Sequence, residues 1–277
     1  MMMWLLLFSL QSFAAAPFVS FDEAGLRARF SQPVSNDGPN CYNTAFVSMG
    51  YLPDIVHTSS DEAIYYFNNF CQEQKGVKAE SAQNGALIAY HSADSKLVHV
   101  AVALGGGNVL EKYNYLGLHA DSFHRNEEAG RYLFQNLRSS YYFQSYSAQR
   151  TRVYHCVTAT ELQQHLAPVL ASPQTQRLNR IRATVAAKLE KMKPAELDIF
   201  LQSTATQALK DLENILRNPP ESEAAKKYDR VLATSLLHQF YYMLDNSSYS
   251  CESCTRQITR PLQDQISRLQ ALIAKNY

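Results

Sequence analysis

Cys41, His99 and Glu111 are the side chains in this sequence whose types and order fit one reaction. A thiolate attacks a carbonyl carbon, an imidazole takes and returns the proton, and a carboxylate orients the imidazole. Cys41 follows the turn-forming run Asn36-Asp37-Gly38-Pro39-Asn40, where a helix is expected to begin. A helix start favours the thiolate through its partial positive charge and unbonded N–H groups. Those N–H groups can also receive an oxyanion formed beside the sulfur. His99 stands inside the otherwise apolar run Leu97–Leu104. Strand alternation expects Val98, Val100, Val102 and Leu104 on a core face, with His99, Ala101 and Ala103 on the other. If Gly105-Gly106-Gly107 is a hairpin loop, Leu104 meets Asn108, and Glu111 falls opposite Ala101 and diagonal to His99. Diagonal neighbours lie ~7–8 Å apart, within reach of a long side chain. A one-residue slip would turn Glu111 to the wrong face. The expected roles are nucleophile for Cys41, general base and then acid for His99, and orienting group for Glu111. Each residue also has an ordinary use, as small core thiol, hydrogen-bonded core imidazole or solvated strand carboxylate. Spacing alone leaves both readings open.

The elements that must position these residues change character near residue 158. Before it, short strand-like runs and Gly or Asn turns dominate. Cys41–Gly50 is expected to be a short helix, and Ser59-Ser60-Asp61-Glu62 reads as a capping box opening a helix to about Gln74. Ala86–His91, Leu97–Leu104, Asn108–Tyr113 and Thr151–Val157 read as strands, the last closing the sheet. Asn114–Ala148 is aromatic and carries no clear period. After residue 158, apolar residues recur at three and four positions within 194–217, within 221–244 and from Ile258 to Ile273. Pro173, Pro194 and Pro219-Pro220 punctuate these helices.

Cys41 at a helix start, Asn84-Gly85-Ala86-Leu87-Ile88-Ala89-Tyr90, and His99-Val100-Ala101-Val102-Ala103-Leu104-Gly105-Gly106-Gly107 together resemble the NlpC-type papain-like cysteine peptidases. That family runs Cys helix, Gly-Asp-Leu-type strand, His strand ending in Leu-Gly-Asn-Gly, then a third polar residue on the next strand. Glu111, twelve positions after His99, matches the third position. The chain departs from the pattern at Asn40-Cys41-Tyr42-Asn43, where Asp-Cys-Ser-Gly is usual, at Gly85-Ala86-Leu87, and at Glu111 itself, where His, Asn or Gln is commoner. The resemblance covers roughly residues 30–115. It implies secreted or surface enzymes cutting peptide bonds in bacterial cell-wall peptides (peptidoglycan), with relatives acting as amidases on other substrates.

The remaining features bound the reading. Trp4–Leu10 is a short apolar run ending at small residues, so residues 1–14 are expected to be a signal peptide cleaved after Ala14, giving an exported, periplasmic or secreted protein. Lys+Arg 26 against Asp+Glu 25 leaves no basic excess for nucleic acid. No run is long and apolar enough for a membrane span. No metal-ligand spacing and no phosphate-binding loop call for a cofactor. His119 and His124 read as loop polarity. Of five cysteines, Cys71 and Cys156 can join the second helix to the last strand, and Cys251-Glu252-Ser253-Cys254 reads as a local disulfide. One chain cannot fix that connectivity, but two pairs leave one thiol, and Cys41 is the expected one. The expected fold class is α+β: an NlpC-type domain, helix on antiparallel sheet, over 15–158, then an all-helical domain over 159–277 that the chemistry does not need. The reading is an exported cysteine hydrolase cleaving amide bonds through a thioester. The alternatives are an inactive binding module of the same fold, or an amidase or acyltransferase on a non-wall substrate.

Overall fold

Asn40 and Ser59 each sit in extended backbone just before a helix, and each side-chain oxygen accepts an N–H of the first turn. These caps start α2 (Cys41–Ser48) and α3 (Ser60–Phe70) in the computed structural model, which describes residues 22–30, 40–53, 56–112, 132–146, 150–191, 196–247 and 252–277. The expected signal peptide, the turn before Asn40, His119, His124 and Cys251 lie outside these residues. A short helix, α1 (Glu23–Arg29), precedes α2. Only half of the capping box expected at Ser59 forms. Ser59 Oγ accepts the Glu62 N–H, but the Glu62 carboxylate turns away to Arg182 and Ser235.

Six strands form one sheet in the order β1-β6-β2-β3-β4-β5: β1 (Cys71–Glu73), β2 (Leu87–His91), β3 (Leu97–Gly105), β4 (Asn108–Lys112), β5 (Tyr132–Asn136) and β6 (Thr151–Cys156). All pairings are antiparallel. Two expectations are corrected here. The helix from Ser60 stops at Phe70, because Cys71 is drawn into an extended strand opposite Cys156 and joined to it by a disulfide. β6 therefore lies inside the sheet, with β1 outside it at the edge.

At the β3–β4 turn, Gly106 and Gly107 have φ of 60° and 78°, and Gly105 has φ of 80°. Two consecutive positive φ values make the tight turn that matches strand twist, and L side chains resist them. Gly105 pairs with Asn108, the register then shifts, and Ala103 meets Val109 while Val102 meets Leu110. The loop is one residue shorter than expected and the shift restores the count, so Glu111 keeps its expected alignment. A second shift lies at the other end of β3: His91 pairs with Leu97 and Tyr90 with His99. Val98 is the extra residue, and it packs with the Ala101 and Ala103 face instead of with Val100 and Val102.

One sheet face carries Leu87, Ala89, Val100, Val102 and Leu110 into a core shared with α2, α3 and the helices that follow. These are α5 (Ala159–Leu170), α6 (Pro173–Lys191), α8 (Thr206–Leu216), α9 (Glu223–Ser247) and α10 (Glu252–Asn276); α7 (Leu197–Phe200) leads into α8 through a π-helical stretch, Leu201–Ala205. The other face packs Ile88, Tyr90, Ala101, Ala103, Val109 and Val153 against Leu137 and Tyr142. Tyr142 is supplied by α4 (Tyr141–Ser145). The larger core runs from Leu26 to Ile273 without a break at residue 158. Among the described residues, no helix is long and apolar enough to cross a membrane.

Candidate active site

Asn40 fixes the start of α2 twice. Its Oδ1 accepts the Asn43 N–H at 3.0 Å, and its carbonyl accepts the Thr44 N–H and hydroxyl, each at 2.9 Å. Its Nδ2 donates to the Thr58 carbonyl at 2.6 Å, and Asn43 Nδ2 donates to Thr58 Oγ1 at 3.2 Å. Cys41 is thereby held in the first turn, where the N–H groups of Cys41 and Tyr42 have no acceptor within the helix. Helix α2 packs on β3 and β4, the strands that carry His99 and Glu111.

The three residues meet. The Cys41 thiol lies beside the His99 imidazole and acts on it electrostatically, and His99 Nε2 lies 2.9 Å from Glu111 Oε2. With Nε2 engaged by the carboxylate, Nδ1 is the ring nitrogen left for the thiol. Glu111 is held by further donors: Gln135 Nε2 to Oε1 at 2.6 Å and Ser140 Oγ to Oε2 at 3.1 Å. Its own burial opposes ionisation, but these donors and the facing imidazole outweigh that and hold its pKa below the ordinary carboxylate value. Burial also opposes a charged His99, yet the Cys41 thiolate and the Glu111 carboxylate raise its pKa to about 9. The arrangement therefore favours the charged imidazolium of His99. The ring of Tyr142 stacks on His99, centroids 3.6 Å apart and planes within 4°, and fixes the imidazole plane. Burial first, then the Cys41 and Glu111 charges, keep the Tyr142 hydroxyl protonated.

Gln135, Ser140 and Tyr142 come from the aromatic stretch whose sequence carries no clear period. Ser140 is the cap of α4 as well as a donor to Glu111. A Ser before an aromatic run is a cap signal, and it could have pointed to this part of the site. Lys112 is buried, with Nζ 5.6 Å from the Tyr132 ring centroid, and burial lowers its pKa to about 8 despite the Cys41 charge.

All three side chains are enclosed: Cys41 is 3% exposed, and His99 and Glu111 are 0% exposed. Cys41 is a free thiol, while Cys71 and Cys156 form a disulfide. No group of three or more His, Cys, Asp or Glu side chains among these residues could hold a metal ion. No protein-family model, no curated protein and no solved structure matches this chain.

Proposed function

We propose that this protein is an exported cysteine hydrolase of papain-like, NlpC-type architecture, cleaving amide bonds in peptidoglycan peptides. The observation that carries the reading is the His99 ring set between the Cys41 thiol and the Glu111 carboxylate, with its Nε2 2.9 Å from Glu111 Oε2. In the reaction the Cys41 thiolate attacks the amide carbon, and the oxyanion forms beside the first-turn N–H groups of α2. The His99 imidazolium protonates the departing amine, leaving a thioester. The neutral imidazole then takes a proton from water, whose attack releases the acid and restores the thiolate. Glu111 keeps one ring nitrogen engaged throughout, which holds the tautomer and stabilises the imidazolium. The Cys71–Cys156 disulfide suits an oxidising compartment.

The test is incubation with purified peptidoglycan and with its synthetic stem peptides, read by mass spectrometry of released amines. The expected result is a new amine terminus that Cys41→Ala and His99→Ala abolish. A non-hydrolytic binding module is favoured by the burial of all three groups. Binding to peptidoglycan without any cleaved bond, unchanged in Cys41→Ala, would establish that reading instead.

A further inference from the structure

The helical half reaches the nucleophile through a buried polar relay. On α9, Gln239 Oε1 accepts the backbone N–H of His57 at 2.8 Å, and Ser235 Oγ accepts that of Ser59 at 2.9 Å. The residue between, Thr58, presents its carbonyl to Asn40 Nδ2 and its hydroxyl to Asn43 Nδ2. Asn40 caps the helix that starts at Cys41. Every member from Gln239 and Ser235 to Asn40 and Asn43 is buried, Gln239, Asn43 and Thr58 at 0% exposure. Buried backbone N–H groups at His57 and Ser59 require acceptors, and α9 supplies both. These acceptors pin the loop that in turn pins the first turn of α2.

We propose that Gln239 and Ser235 are positioning residues for Cys41, so that the helical half is part of the machinery that sets the thiolate–imidazolium pair. The relay acts by geometry: a sulfur displaced from His99 loses its place beside the imidazole that would take its proton. The inference rests on the catalytic-pair reading of Cys41 and His99.

The experiment alkylates Cys41 with iodoacetamide in the full chain and compares the rate at pH 6 with that at pH 9. Access to the thiol affects both rates alike, so their ratio reports the ion pair. Wild type should react at pH 6, where an ordinary thiol is almost wholly protonated. Gln239→Met keeps side-chain length and removes the acceptor; the pH 6 to pH 9 ratio should fall about tenfold. Leu209→Ala, a buried α8 variant outside the relay, should lower Tm and leave the ratio unchanged. If Gln239→Met does not fold, Ser235→Ala is read in the same assay. A wild-type ratio that Gln239→Met and Ser235→Ala preserve, or that Leu209→Ala lowers equally, overturns the positioning role alone. A wild type that reacts at pH 9 but is inert at pH 6 overturns the catalytic pair and this inference together.

Discussion

A carboxylate that receives Gln135, Ser140 and an imidazole is committed to its ionised form, and that charge is what Glu111 adds over a neutral residue. Glu111→Gln keeps the size and one acceptor oxygen while removing the charge, so His99 should lose part of the lift that takes it to about 9. The expected outcome is a kcat/KM lower by about tenfold, with the alkaline limb of its pH profile moved down. An unchanged rate and profile would reduce Glu111 to a strand residue. Two histidines act on stability with opposite signs. His99, raised to about 9, contributes stability that is complete below about pH 6.5 and lost as pH rises through 9. His57 is held neutral, first by burial and then by His238, Arg182 and Lys112, with a pKa of about 3. The unfolded chain takes up that proton below about pH 6.5, so stability falls from there toward pH 3 by up to about 1.4 kcal/mol per pH unit. Urea midpoints at pH 5, 7 and 9 should therefore peak near neutrality, and His57→Gln should flatten the acid side. An acid slope that survives His57→Gln would assign it to another group.

At the scale of elements, the site depends on the register of β3 and β4, and the turn sets that register. A Cβ at Gly106 would make an ordinary contact with Asn108 Nδ2 at 3.9 Å, so a substitution there is governed by its positive φ of 60°. Gly106→Asn, a residue that accepts the left-handed region, should be nearly neutral, whereas Gly106→Val should cost about 1–2 kcal/mol, measured by thermal unfolding. Equal losses would show that the turn, not φ, has changed. This hairpin was legible because three glycines between apolar runs leave few other solutions, and the helices after residue 158 because their apolar spacing repeats. The bulge at Val98 was not legible, since it exists only in the pairing of Leu97 with His91 and His99 with Tyr90. Nor was β1 visible: Cys71-Gln72-Glu73 continues the pattern of α3, and only pairing with β6 and the Cys71–Cys156 bond make it a strand. β5 hid for a related reason. Tyr132, Leu133, Phe134 and Gln135 are all partly buried, so the strand shows no alternation, and its one inward polar residue, Gln135, serves Glu111.

For the whole molecule, the decisive contact is between the sheet-bearing half and the helices. Arg182 of α6 and Glu62 of α3 form a 2.7 Å ion pair, with the two side chains 3% and 0% exposed, and Ser235 of α9 donates to the other carboxylate oxygen. Burial opposes both charges, and the pair is tolerable only while each satisfies the other. Breaking it from one side leaves an uncompensated buried charge, so Arg182→Met should cost about 3–5 kcal/mol. A double change, Glu62→Leu with Arg182→Leu, removes both charges at once and should recover most of that loss. The same reasoning bears on the expectation that residues up to 158 suffice for chemistry. A chain ending there keeps Glu62 but loses Arg182 and Ser235, exposes the face of α3 that packs on α9, and strips the acceptors from His57 and Ser59. We expect it to lose cooperative unfolding and to bind a hydrophobic dye, both measurable beside the full chain. Adding Glu62→Leu should not rescue it, because the apolar face of α3 stays uncovered. A truncated chain that unfolds cooperatively and still alkylates Cys41 at pH 6 would show that the helices only cover a site already complete beneath them.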